Sequence, residues 1–94
     1  MTRAQIEAYA EQEDIELILL DPPEVFDGAI VGIIFGFGQD QAVLYDYEQC
    51  IAGLVGPDLD REGAEEFFYF NTVGAYLGAA TPRFLIRLEE TSHE

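Results

Sequence analysis

Residues 29–38 constrain the fold more than any other part of the chain, because this run carries no polar side chain. It is too short to span a bilayer, which takes about 20 apolar residues in a helix. A strand that is apolar on both faces is typical of the covered centre of a sheet. A turn signal at residues 38–41 leads into a second apolar run at 42–45, so we predict a β-hairpin over residues 29–45.

A helix and a strand are predicted ahead of this hairpin. Thr2 and Gln5 match a capping box, and apolar residues at helical spacing follow, which predicts a first helix over residues 2–12. The aliphatic run 15–20 ends where Pro22 would interrupt a strand ladder, so we predict a first strand there.

Two further helices are predicted after the hairpin. Asp46 begins a second helix that ends before Pro57. Asp60 caps a third helix that continues to about residue 77, where Gly78 supplies a C-terminal cap. Other acids are assigned to the positive end of the third helix or to turns: Glu62, Glu65 and Glu66 in the helix, and Asp21, Asp27 and Asp40 in turns.

The last predicted element is a half-exposed strand over residues 83–88, with both of its arginines on one face and Phe84, Ile86 and Leu88 on the other. The elements then follow the order α-β-β-β-α-α-β. This order predicts the α+β class, with a small antiparallel or mixed sheet of three to four strands packed on three helices. We expect a single domain over residues 1–94, in which residues 89–94 form a frayed acidic tail.

The charge balance limits the partners that the chain can bind. Nineteen Asp and Glu residues stand against four arginines, and the formal net charge is -15. Such a chain lacks a basic patch for phosphates, so we expect neither nucleic-acid nor membrane binding. A hydrophobic content of 49% is too high for a disordered acidic chain, so the protein is expected to fold.

Cys50 is the only cysteine, which excludes an internal disulfide and a cysteine-based zinc site within one chain. It lies on the apolar stripe of the second helix, where a small buried side chain is expected. The first ten residues have neither the basic start nor the apolar core of a signal peptide. These features predict a cytoplasmic protein.

Residues 45–51 have the pattern Tyr-Asp-Tyr-Glu-x-Cys-Ile, and residues 71–84 have Asn-x-x-Gly-Ala-Tyr-x-Gly-x-x-Thr-Pro-x-Phe. With these motifs, residues 29–88 resemble a group of short proteins of bacteria and their phages that has no assigned activity. The resemblance implies a compact single domain and supplies no catalytic residue.

The residues themselves indicate no catalytic, cofactor-binding or metal-ligating set. His93 and Ser92 lie in the acidic tail, and the glycines at 36 and 38 lack the third glycine and the lysine of a phosphate loop. Residues 58–63 match the start of a calcium loop, but Tyr69 stands where the bidentate glutamate is required. We therefore expect a protein that is not an enzyme.

The third helix carries the residues best suited to an interaction. Asn71 is expected among apolar neighbours, where its amide must bond to nearby backbone or serve recognition. The opposite stripe is also apolar, and a helix apolar on two sides is either buried or shared with a partner, for which a homodimer is the simplest form. The candidate interaction residues are Glu62, Glu65, Glu66, Tyr69, Val73 and Tyr76, and those of a candidate ligand pocket are Tyr45, Tyr47 and Asn71.

Three functions fit these observations. The leading hypothesis is a small acidic binding or inhibitory protein, of bacterial or phage origin, that docks on a basic surface such as that of a nucleic-acid-binding protein. The second treats the acidity as an adaptation to solubility or salt on a structural or housekeeping module. The third is a small-molecule-binding module.

Overall fold

The computed structural model describes residues 1–74 and 78–88. These residues form four α-helices and a three-stranded mixed sheet, which confirms the α+β class. A 3-10 turn, Asp27–Ala29, joins the second helix to the first strand, and a π-helical turn, Tyr69–Val73, extends the fourth helix. In chain order the elements are α1 (Arg3–Glu13), α2 (Pro23–Phe26), β1 (Ile30–Gly36), β2 (Gln39–Asp46), α3 (Tyr47–Leu54), α4 (Arg61–Phe68) and β3 (Arg83–Leu85).

Side-chain caps begin three of the helices where the sequence predicts them. The Thr2 hydroxyl accepts a hydrogen bond from the Gln5 N–H at 3.1 Å, which starts α1. Asp46 starts α3 by accepting from the Gln49 N–H at 3.1 Å, and Asp60 starts α4 by accepting from the Gly63 N–H at 2.8 Å. These contacts confirm the predicted starts, because each satisfies a helix donor that has no partner inside the helix.

The sheet has the order β1-β2-β3, so β2 rather than β1 is the central strand. β2 pairs antiparallel with β1 and parallel with β3. The predicted hairpin is confirmed, but its turn lies at residues 37–38, where Gly38 has a φ of 73°. Asp40 therefore belongs to β2, and its predicted place in the turn was wrong. The predicted central position of the apolar run was also wrong, because the strand order places β1 at the edge of the sheet.

Residues 15–20 do not form the predicted strand. Their backbone finds side-chain partners instead: the Leu20 N–H donates to the Tyr45 hydroxyl at 2.8 Å, and the Leu20 carbonyl accepts from Arg3 at 2.7 Å. Leu17 and Leu19 pack against the core. The segment thus buries its apolar side chains without a strand neighbour.

The predicted third helix is α-helical only as far as Phe68. Over Tyr69–Val73 the backbone is π-helical, and the Gly74 N–H donates to the Tyr69 carbonyl at 2.9 Å. The extra residue per turn changes the direction of the side chains that follow. Residues 75–77, the predicted end of this helix, lie outside the described residues.

One face of the sheet supports the hydrophobic core. Residues paired across neighbouring strands lie on the same face, and residues along a strand alternate between faces. Ile33, Val43, Tyr45 and Phe84 therefore lie on one face, where they pack with helix residues such as Ile6, Phe26, Cys50 and Phe68. The rings of Phe68 and Phe84 meet edge to face, with centroids 4.9 Å apart.

The predicted last strand is shorter in the structure than in the sequence analysis. β3 ends at Leu85, and the side chains of Ile86 and Leu88 are exposed. Their predicted place on a buried strand face beside Phe84 was therefore wrong. The predicted acidic tail, residues 89–94, lies outside the described residues.

Candidate interaction surfaces

Each of the four arginines bonds to an acceptor within the chain. Arg3 binds Asp27 through its Nε, which lies 3.1 Å from both carboxylate oxygens. Arg61 bridges two helices, since its Nη1 lies 2.9 Å from Glu48 of α3 and its Nη2 lies 3.1 Å from Glu65 of α4. The remaining bonds join Arg87 Nε to Asp46 Oδ2 at 2.6 Å and Arg83 Nη1 to Gln39 Oε1 at 2.9 Å. Three arginines therefore pair with carboxylates, whereas the acceptor of Arg83 is a neutral amide.

The acids of α4 fall into two groups. Glu65 is half-buried and pairs with Arg61 of the same helix, whereas the bond between Arg61 and Glu48 is the one that joins α4 to α3. Glu62 and Glu66 are exposed, and within residues 1–74 and 78–88 no arginine comes within ion-pair distance of either. Their separation of four residues places them on the same side of α4.

Exposed aromatic and apolar residues continue from these two acids. Tyr69 is half exposed, Phe70 is 87% exposed and Val73 is 41% exposed. Tyr69 and Phe70 follow Glu66 by three and four residues, which places them along the same side as Glu62 and Glu66, and Val73 lies at the end of the π-helical turn. We call this set the acidic-aromatic stripe: Glu62, Glu66, Tyr69, Phe70 and Val73. Sequence reasoning missed Phe70, and the signal that identifies it is its spacing of four residues from Glu66.

Asn71 is exposed, so its predicted burial was wrong. Its Nδ2 donates to the Phe67 carbonyl oxygen at 3.0 Å, which supplies a partner near the C-terminal end of α4. The side chain buried in this part of the chain is Phe68. Tyr76, another predicted interaction residue, lies outside the described residues.

The predicted pocket residues are not gathered around one cavity. Tyr45 is fully buried, and its hydroxyl bonds to Leu20. The ring of Tyr47 packs on the rings of Phe68 and Tyr69. Asn71, in contrast, is exposed. Burial is the main cause that raises the pKa of Tyr45 and of Tyr47. Both phenols are therefore neutral at physiological pH.

Two surface clefts lie elsewhere. A cleft of about 550 Å³ is lined by Ile15, Glu16, Ile18, Gln39, Asp40, Gln41, Gly78, Ala79 and Ala80. The second, of about 380 Å³, lies between α1 and β1 and is lined by Met1, Gln5, Ile6, Tyr9, Ile33 and Phe35. Neither cleft includes a predicted pocket residue.

Two charged or reactive groups are held in a single state. Cys50 is fully buried, as predicted, and burial raises the pKa of its thiol to about 12. The thiol therefore stays protonated and does not act as a nucleophile. The hydrogen bond from Arg87 is the main cause that lowers the pKa of Asp46, so this buried carboxylate is ionised at neutral pH.

The segment that resembles the start of a calcium loop is a helix cap in the structure. Asp60 uses its Oδ1 for the Gly63 N–H, and α4 begins at Arg61. In the described part of the chain, no three acidic, histidine or cysteine side chains lie close enough together to hold a metal ion. Ser92 and His93 lie outside that part.

A second surface has the opposite composition. Residues 28–39 include no ionisable side chain, and they form β1 with its turn. Phe35 is 76% exposed and Phe37, at the turn, is fully exposed. We call residues 30–37 the uncharged edge.

Comparisons with known proteins identify no relative: no protein-family model, curated protein or solved structure matches the chain. The resemblance to short bacterial and phage proteins therefore stays a prediction. Among the described residues, no helix is both long enough and apolar enough to cross a membrane.

Proposed function

We propose that the protein is a small, non-enzymatic acidic binding protein that docks on a basic protein surface through the acidic-aromatic stripe. The observation that supports this most strongly is the exposure of Glu62 and Glu66, neither of which has an arginine within ion-pair distance in residues 1–74 and 78–88. The formal net charge of -15 acts in the same direction. A field of this sign speeds encounter with cationic partners and repels nucleic acids.

The stripe has the chemistry to hold an arginine-rich partner. Glu62 and Glu66 can each accept hydrogen bonds from a guanidinium group, and the rings of Tyr69 and Phe70 can stack on its plane. An aromatic residue that is 87% exposed also matches the composition of interface centres, where aromatic residues are enriched. Charge thus brings the partner to the stripe, and the rings add contact area.

Paired variants of equal charge test the stripe. We expect Glu62→Gln with Glu66→Gln to weaken binding of an arginine-rich peptide about tenfold or more at low ionic strength, because two charged hydrogen-bond acceptors are lost. The matched control is Glu7→Gln with Glu11→Gln on α1, which changes the net charge equally at exposed positions with the same spacing. We expect at most a twofold effect from the control, measured by isothermal titration calorimetry.

Equal losses in the two double variants would show that the peptide responds to net charge alone and would overturn the stripe as the docking site. Absence of binding by the unchanged protein at low ionic strength would overturn the proposed function itself. A peptide with glutamine in place of every arginine is the control for interactions that do not depend on charge.

A second candidate function is a structural or housekeeping module adapted to salt. The spread of exposed carboxylates over α1, α3 and α4 favours it, since salt adaptation requires no single docking site. Urea unfolding at low and at molar salt separates the two functions, because the screening length falls from about 10 Å at 0.1 M to about 3 Å at 1 M. Salt adaptation predicts folding only toward molar salt, whereas a docking protein is folded at ordinary ionic strength.

An inhibitory role, a cytoplasmic location and a phage origin extend the same proposal. A homodimer through α4 is an alternative to it, because a second copy on the exposed rings of the stripe would cover the site of the basic partner. These points remain predictions.

A further inference from the structure

We propose that a second copy of this chain pairs with the uncharged edge, β1 against β1 in antiparallel register. This surface is distinct from the acidic-aromatic stripe, and the inference does not depend on the function proposed above. It rests on the free side of β1, on the absence of charge along it and on the exposed rings at its end.

β1 is an edge strand that carries no charged residue and no proline, although its register is interrupted twice. Within the described residues it pairs only with β2, so its other side presents backbone N–H and C=O groups that have no strand partner. Proteins commonly protect such an edge with proline or with a charged side chain such as lysine, and β1 has neither. Register shifts between Ile30 and Gly32 and between Ile34 and Gly36 leave residues 32–34 as the regular stretch available for pairing.

The charge distribution selects a second copy as the occupant. A basic partner would find no carboxylate to bind along residues 28–39. Two copies that met through their helices would bring like charges together, whereas two that meet along β1 bury no carboxylate of this segment. An antiparallel pair of identical strands also satisfies twofold symmetry, in which each copy offers the other the same surface.

The side chains around the edge add an apolar contact to the backbone pairing. Phe35 is 76% exposed and lines the 380 Å³ cleft between α1 and β1. Phe37 is fully exposed at the end of the hairpin. In an antiparallel pair, the turn of each copy extends toward the start of the other copy's β1, so these rings can be covered by the partner.

The test uses the full chain and two matched phenylalanines. Phe35→Glu is expected to raise the dissociation constant of the dimer about a hundredfold or more, because it places like charges in each half of the interface. Phe70→Glu makes the same change at a similarly exposed ring of the stripe and is expected to leave the dimer intact. Sedimentation equilibrium distinguishes the 10.5 kDa monomer from a dimer of twice that mass.

Ionic strength gives an independent signature. Dimerisation should strengthen as salt screens the repulsion between two chains of charge -15, whereas binding of a basic peptide should weaken. Hydrogen exchange should show concentration-dependent protection of those amides in residues 32–34 that do not bond to β2. Should circular dichroism show Phe35→Glu to be unfolded, Phe37→Glu replaces it as the test variant.

Three results would overturn the inference. The first is an unchanged chain that stays monomeric at high concentration in molar salt. The second is a folded edge variant that dimerises as tightly as the unchanged chain. A dimer lost in Phe70→Glu but kept in Phe35→Glu would instead place the interface on the stripe.

Discussion

The acidic-aromatic stripe and the uncharged edge each expose a phenylalanine to a similar degree, 87% for Phe70 and 76% for Phe35, but their surroundings differ. Phe70 follows two exposed glutamates along one side of a helix, whereas Phe35 lies in a segment with no ionisable group. The difference shows that two rings of similar exposure can have opposite electrostatic surroundings. We propose that the charge beside the ring decides whether a cation or a neutral strand binds there.

Both surfaces depend on one core. Phe68, beneath the stripe, packs against Phe84 on the sheet, and Phe84 in turn packs against Tyr45 with ring centroids 6.2 Å apart. Variants of this shared core therefore test whether the two surfaces depend on each other for their stability.

The largest effect is expected from Phe68→Ala. Removal of this fully buried ring should lower the free energy of unfolding by about 3–5 kcal/mol. Phe70→Ala, which alters the exposed ring two positions later, should change it by less than about 0.5 kcal/mol. Urea unfolding followed by circular dichroism measures both. Hydrogen exchange of Phe68→Ala should show weaker amide protection in both α4 and the sheet. A loss of protection in α4 alone, with β1 and β2 unaffected, would show that the two surfaces have separate cores.

A smaller effect is expected from Tyr45→Phe, which tests the sheet side of the same core. The Leu20 N–H would lose its acceptor in a buried site, so the free energy of unfolding should fall by about 1–3 kcal/mol. The matched control is Tyr9→Phe, since the Tyr9 hydroxyl donates to half-buried Gln41 at 2.6 Å and water can replace it more easily. Equal losses in the two variants would contradict the role assigned to the buried hydroxyl.

The smallest effect is expected from Asp46→Asn, at the end of β2. Asparagine keeps the helix cap but loses the ion pair with Arg87, which should cost at most about 1 kcal/mol at pH 7 because Arg87 is largely exposed. The folded-state pKa of Asp46 is lowered, so its contribution is present above the unfolded pKa of about 3.9 and is lost as the pH falls through the folded value.

The difference between the unchanged protein and Asp46→Asn in unfolding free energy should therefore shrink in acid. A difference that stays constant from pH 7 to below pH 3 would show that Asp46 stabilises the fold without its charge. Thermal unfolding of both proteins between pH 7 and pH 3 measures this difference in unfolding free energy.

The sequence predicted the parts of the fold that depend on neighbours along the chain. Thr2, Asp46 and Asp60 could be identified as caps because each bonds to a backbone N–H three residues later. The position of β1 could not be predicted in this way, because strand order depends on β3, which lies far along the chain. The same limit applied to residues 15–20, because Tyr45, which bonds to Leu20, lies 25 residues further along the chain.

The candidate site was partly predictable for the same reason. Glu62 and Glu66 could be placed on α4 from the Asp60 cap and helical spacing. The exposure of Asn71 could not, because the π-helical turn interrupts the regular spacing on which the prediction relied. No local pattern in residues 69–73 identifies that turn.

The parallel pairing of β2 with β3 has a consequence for the order in which the molecule assembles. The β1-β2 hairpin is local and can form within about 1–10 μs, whereas β3 can join only after the intervening chain has closed a long loop. Phe84 arrives with β3, so an intermediate that holds the hairpin alone leaves the rings of Tyr45 and Phe68 without this neighbour. We therefore expect the docking of β3 to follow the formation of the hairpin and to complete the core.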